Sequence, residues 1–181
     1  FSPEWWDSYQ SVNYIFADRV ATVATEGSVV FVQVYHLMLV PALLRKRRPD
    51  LTIGYFHHIP FPEAHTLEAL GQRRLILEGL LGADVIGFQR QRDVDSFHQS
   101  VGQYVSDTAR NHTARIAAYP ISIDSAGVSL AAQSESVRSR ARELRAEWGN
   151  PAHVFLGVDR LDYTKGIPER LLAFEELLAS G

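Results

Sequence analysis

Near the start of the chain apolar positions return every three or four places, at Trp5, Tyr9, Val12, Phe16, Val20 and Val23. This spacing predicts one long amphipathic helix with those side chains on its buried face. Ser2 suits the N-cap, Pro3 the first helical position and Glu4 the positive end of the helix dipole, and Gly27 stops the run. Val29-Val30-Phe31-Val32 follows without polar alternation, as expected of a parallel strand buried on both faces.

Short apolar runs and amphipathic segments then alternate. Residues 37–47, 73–81 and 93–104 read as helices, and 51–56, 85–88 and 115–119 as strands. After Asp124 the texture changes. A small, polar stretch over 125–136 leads into a charged helix at 137–148, a strand at 153–158 and a last helix at 166–179. Strands alternating with helices at this spacing predict an α/β fold built on parallel sheets. The change of texture sets a domain boundary, giving residues 1–124 and 125–181.

Composition narrows the partners. The 181 residues include 18 Lys and Arg against 21 Asp and Glu, a formal charge of −3, which offers no footprint for nucleic acid or an anionic membrane. With no cysteine, disulfides, thiolate metal sites and cysteine nucleophiles are excluded. The lack of an apolar run of about 18 residues and of a leader-like N-terminus leads to the expectation of a cytoplasmic protein. No Walker A sequence, dinucleotide fingerprint, G-x-S-x-G elbow or H-E-x-x-H pair occurs.

In open parallel sheets, ligands bind beyond the carboxyl ends of the strands. Three loops of that kind carry unusual residues. Asp159-Arg160-Leu161-Asp162-Tyr163-Thr164-Lys165-Gly166 places a guanidinium and an ammonium just before a helix N-terminus, an arrangement suited to a diphosphate. The alternative is two exposed bases paired with Asp159 and Asp162. His57-His58-Ile59-Pro60-Phe61-Pro62 holds two histidines in a path stiffened by prolines. Adjacent side chains diverge, so the two are not expected to share a metal, and each could instead simply bond nearby backbone. The third loop is Gln33-Val34-Tyr35-His36. The basic run Arg45-Lys46-Arg47-Arg48 reads as a solvated helix end, and Trp5-Trp6 as packing surface.

Four segments resemble the trehalose-6-phosphate synthase family: Tyr35-His36-Leu37-Met38-Leu39-Val40-Pro41, His58-Ile59-Pro60-Phe61-Pro62, Leu77-Glu78-Gly79-Leu80-Leu81-Gly82-Ala83-Asp84, and the run from Gly157 through Arg170 that contains the cationic turn. Their order and spacing match as well, and Tyr119-Pro120-Ile121-Ser122-Ile123-Asp124 resembles the family's crossover between domains. The resemblance implies a retaining glycosyltransferase of the two-lobed GT-B type with Rossmann-like sheets. Residues 1–124 would be the latter part of the N-terminal lobe, and 125–181 a linker and the start of the nucleotide-sugar-binding lobe.

The same resemblance implies transfer of glucose from UDP-glucose, or another nucleotide-glucose, to glucose 6-phosphate in trehalose biosynthesis, with no cofactor and no metal. Arg160 and Lys165 would hold the donor diphosphate, and His58 would stand beside the transferred glucose as the catalytic-site histidine. Val34 occupies the acceptor-binding position where the family has an aspartate. A valine there would leave a sugar hydroxyl unpaired, at about 1–3 kcal/mol. Two full lobes need about 300 residues. The alternative is therefore a non-catalytic truncated relative that binds sugar phosphate or a full-length partner, or a synthase of another glycoside phosphate. Exposed sheet edges would favour a homo-oligomer.

Overall fold

In a computed structural model, which describes residues 3–106 and 114–180, the first helix, α1, spans Pro3–Val23. Ser2, expected to cap it, lies outside the described residues. The helix forms as its periodicity predicts but is turned about its axis relative to the expected face. Asn13 and Ala17 are its buried residues, with Trp6, Tyr9, Val20 and Ala21 packed beside them. Trp5, Val12, Phe16 and Val23 are exposed, Trp5 to 68%. Two things favour this rotation. Ala17 has no bulk to hold α1 off its neighbour α2 (Val40–Arg47), and the Asn13 amide is fully paired once buried.

Four strands, β1 (Val29–Gln33), β2 (Thr52–His57), β3 (Val85–Phe88) and β4 (Arg115–Ala118), form one parallel sheet in the order β1-β2-β3-β4. Between them lie α2, the short α3 (Ala64–Leu67), α4 (Arg73–Leu80) and α5 (Gln91–Tyr104). Sequential strand order with right-handed crossovers sends every connecting helix to the same face, and α2, α4 and α5 pack side by side there. Val32, Ile53, Tyr55, Ile86 and Phe88 point into that layer and form its core. On the opposite face Val29 and Phe31 remain 75% and 60% exposed. The expectation that this strand is buried on both faces is thus corrected: its apolar run packs on one side only.

Gly79 and Gly82 explain the glycines of the Leu77–Asp84 segment as packing. A Cβ on Gly79 would lie 2.6 Å from the Met38 oxygen, and one on Gly82 would overlap the Ala42 Cα. These glycines let α4 press against α2. The basic run closing α2 is also more than a solvated end. Arg45 donates to Gly82 O, Pro49 O and Leu51 O and pairs with Asp84 at 2.5 Å, and Asp84 accepts from Ile53 N. Arg48 donates to Ala21 O and Ala24 O at the end of α1. Helix ends and strand starts crowd there, and guanidinium forks satisfy carbonyls that a helix terminus leaves open.

The chain divides into two compact units, Phe1–Ser122 and Ile123–Gly181. The second contains α6 (Ser125–Gln133), α7 (Glu135–Glu147), a 3-10 turn at Tyr163–Lys165 and α8 (Ile167–Ala179). The stretch expected to be merely small and polar is helical from Ser125, because Asp124 caps it by accepting from Gly127 N at 2.9 Å. The strand expected over 153–158 does not form among the described residues. Leu156 and Val158 are more than four-fifths exposed. A parallel strand exists through its ladder partners, and no described residue of this unit pairs with it. Nor is any described residue of the second unit buried. Among the described residues no helix is long and apolar enough to cross a membrane.

Candidate active site

Pairing of Gln33 with Phe56 brings the loops after β1 and β2 together at the carboxyl end of the sheet. Gln33 is the last residue of β1, and its Oε1 accepts from His58 Nε2 at 2.9 Å. The exposed His58 ring stands edge-on to Phe56, 4.8 Å between centroids. With an amide oxygen as partner, Nε2 carries the hydrogen, so His58 is held as a donor at the mouth of the loop.

Val34 follows with φ 67° and ψ 153°. A β-branched residue is rarely found there, and such a conformation costs on the order of 1–3 kcal/mol. The surrounding bonds enforce it. Val34 N donates to Phe56 O at 3.3 Å, and Leu37 N donates to Val34 O at 3.2 Å, closing the 3-10 turn Tyr35–Leu37.

That turn is clamped from α1. Tyr9 Oη donates to Tyr35 O at 2.7 Å and accepts from Met38 N at 3.1 Å. Asn13 Nδ2 donates to His36 O at 2.9 Å and to Tyr9 O at 2.8 Å, while its Oδ1 accepts from Leu39 N at 3.0 Å. The sequence reading placed Tyr9 on the buried face but missed Asn13, because it followed the larger apolar side chains of the helix. The available signal was a polar residue four places from Tyr9 and four from Ala17.

The two histidines diverge, as adjacent residues at a strand end should. His57 closes β2 with its side chain inside, 3% exposed, and its Nδ1 lies 2.8 Å from the Tyr55 hydroxyl. Burial lowers its pKa to about 4, against a smaller opposing pull from Asp93. Beyond His58, Phe61 anchors the loop among Phe88, Phe97 and His57. Asp93, near the start of α5 and almost wholly buried, accepts from Phe61 N at 3.3 Å and pairs with Arg90 at 3.2 Å. Asp93 is another supporting residue that sequence reasoning did not find. A carboxylate in the first turn of a helix was its only signal.

In the second unit the cationic turn is built by its acids. Asp162 Oδ1 accepts from Thr164 N and from Thr164 Oγ1, both at 2.9 Å, and these bonds, the backbone one first, lower its pKa. Asp159 takes Arg170 at 2.8 Å. Arg160 is left with Asp162 at 3.7 Å, its side chain 82% exposed, and Lys165 is exposed on the same turn. Gly166, at φ 58°, lets the chain swing into α8. His58 and Val34 thus share one pair of adjoining loops, and Arg160 and Lys165 share one turn of the other unit.

The model of glycosyltransferase family 20 matches residues 1–181. The chain belongs to glycosyltransferase family 20. The trehalose-6-phosphate synthase of Mycobacterium avium (strain 104) is 47% identical over 194 residues, covering 98% of this chain and 39% of that relative. Among solved structures, an α,α-trehalose-phosphate synthase (UDP-forming) from Burkholderia vietnamiensis superposes with a TM-score of 0.83 at 29% identity, over 100% of this chain and 40% of that one. An E. coli structure bound with UDP-2-fluoro glucose matches at 34% identity and a TM-score of 0.78, over 99% and 41%. The Burkholderia xenovorans synthase in complex with glucose-6-phosphate matches at 30% and 0.79, over 100% and 43%. This family 20 chain therefore spans about two fifths of the length of the relatives it matches. The α/β fold with a Rossmann-like parallel sheet, expected from the sequence, agrees with these GT-B glycosyltransferase neighbours.

Proposed function

We propose that this chain carries part of the catalytic apparatus of an α,α-trehalose-phosphate synthase, which moves glucose from UDP-glucose to glucose 6-phosphate with retention. Residues of the first unit belong to the acceptor-side lobe, and the second unit opens the nucleotide-sugar lobe. In the reaction the bond from the anomeric carbon to the diphosphate oxygen breaks as the acceptor hydroxyl bonds to the same face of that carbon. The hydroxyl proton passes to the departing diphosphate. Negative charge grows on the diphosphate, so cations fixed beside it lower the barrier. Arg160 and Lys165 fill that role, His58 stands beside the transferred glucose, and Val34 borders the acceptor. The protein works in the cytoplasm.

One observation carries the reading. On the 159–166 turn each acid has another partner close by: Asp159 has Arg170, and Asp162 has Thr164. Arg160 and Lys165 are left exposed ahead of the α8 N-terminus. A second reading, sugar-phosphate binding without turnover, is favoured by Val34, whose side chain cannot accept a hydrogen bond.

The test is UDP release by the purified chain given UDP-glucose and glucose 6-phosphate, with UDP affinity measured in parallel. Turnover that falls about 10²–10³-fold in Arg160→Ala and in Lys165→Ala supports the transferase. UDP binding that is lost in the same variants, with no turnover in the parent, supports the binding module. UDP affinity unchanged by both substitutions overturns the diphosphate assignment.

A further inference from the structure

The ring of His58 is held from two directions. Phe56 lies across the backbone of β3, where Gly87 makes room: a Cβ on Gly87 would stand 2.7 Å from the Phe56 ring. Phe56 is 7% exposed, and the His58 ring stands edge-on against it at 4.8 Å. From the neighbouring strand Gln33, the register partner of Phe56, brings its Oε1 to 2.9 Å from His58 Nε2. Among the described residues this is the one hydrogen bond of either side chain.

That bond divides the work of the ring. A carboxamide oxygen only accepts, so the hydrogen between the two groups sits on His58 Nε2. In a neutral imidazole the other nitrogen then carries a lone pair. Nδ1 is therefore an acceptor, and because the two ring nitrogens diverge it is not turned toward Gln33. A sugar hydroxyl can donate or accept, and against this ring it donates to Nδ1. Without Gln33 the ring is free to exchange its hydrogen between the nitrogens and to turn about its side-chain torsions.

We propose that Gln33 is a positioning residue for sugar transfer: its Oε1 fixes His58 with the hydrogen on Nε2, so that Nδ1 accepts a hydrogen bond from a hydroxyl of the donor's glucose. This deepens the transferase reading and rests on it, since that reading is what stands His58 beside the sugar. Gln33 itself touches no substrate and acts through the ring.

The test reads the full 181-residue chain in two ways. Long-range nitrogen–proton correlation spectra follow the His58 ring at about pH 8, where an ordinary histidine is neutral. UDP-glucose and, separately, UDP are titrated into the same protein. In the parent the two ring-nitrogen resonances are expected to lie far apart, with Nε2 protonated. Gln33→Leu draws them together as the tautomers exchange, and Gln33→Glu, which keeps an acceptor oxygen there, restores the separation. Gln33→Leu also weakens UDP-glucose about fivefold, the worth of one hydrogen bond, and leaves UDP affinity unchanged. A parent with the hydrogen on Nδ1, or resonances indifferent to Gln33→Leu, overturns the proposal. So does undiminished UDP-glucose affinity, or a loss shared equally by UDP, which marks a merely structural role. The spectra need no ligand. A parent that binds neither UDP nor UDP-glucose overturns the transferase reading, and with it the sugar role of Gln33, whereas a wrong tautomer overturns the Gln33 assignment alone.

Discussion

Asn13 Nδ2, in the middle of the first helix, donates to the main-chain oxygen of His36 at 2.9 Å. The same carboxamide accepts from Leu39 N at 3.0 Å, so one buried side chain satisfies both sides of the turn after β1. Strand β1 delivers the turn to the sheet end, but α1 sets its shape.

Replacing Asn13 by Leu keeps the bulk and strips the bonds. The His36 oxygen and the Leu39 amide are then left without a partner next to an alkyl group. The expected loss is about 2–4 kcal/mol, on the basis of about 1–3 kcal/mol per unpaired buried group, read from urea unfolding. Asn13→Asp keeps the acceptor for Leu39 N but turns a charge toward the His36 carbonyl, and is expected to be at least as damaging. Stability equal to the parent in both variants would remove the clamp from the account.

Two glycines make a matched pair. Gly82→Ala drives a methyl group into the α2 backbone at Ala42 and is expected to cost about 1–3 kcal/mol. Gly102→Ala, inside α5 with nothing within 4 Å, is expected to stabilise by about 0.5–1 kcal/mol through helix propensity. Opposite signs in chemical denaturation are the expected result.

Val34 tests strain. At φ 67° any L side chain is disfavoured, so Val34→Ala keeps the strain and loses packing, while Val34→Gly sheds the strain. Val34→Gly is therefore expected to be at least as stable as the parent and Val34→Ala less so. The reverse order of urea midpoints would contradict this. Val34→Asp supplies a hydrogen-bond acceptor at the same place and is expected to tighten glucose 6-phosphate binding.

His57 predicts a pH dependence. Its folded pKa, about 4, lies below the ordinary value of 6.5 because burial disfavours the cation. Above pH 6.5 both folded and unfolded chains hold it neutral. As the pH falls from 6.5 toward 4 the unfolded chain takes up a proton that the folded chain refuses, so stability is lost in that window, by up to about 3 kcal/mol. Urea unfolding at pH 7.5, 6 and 5 should show the fall, and His57→Phe should flatten it.

Much of the fold was legible because it rests on local pattern. The runs at Val29–Gln33 and Val85–Phe88 are apolar stretches of strand length, and α8 begins at Gly166-Ile167-Pro168, where glycine and proline mark a helix start. The His57–Pro62 loop stood out by its residue types. The Asn13 clamp and Asp93 beneath Phe61 did not, because each joins residues through contacts that spacing along the chain does not encode. Residues 153–158 show the converse error: strand-forming side chains make no strand without a neighbour to pair with.

By itself, then, the sequence determined most of the helices, though not α3 or α6, the parallel character of the sheet and the cationic composition of the 159–166 turn. These follow from periodicity and residue chemistry within a few positions. Tertiary structure alone decided which side of α1 is buried, which of two adjacent histidines faces inward, and which acid each arginine answers. Burial and hydrogen bonding are settled by whatever the fold brings alongside, and Ala17 with Asn13 won over Phe16 with Val12 because a small side chain and a fully paired amide fit against α2 and the turn after β1.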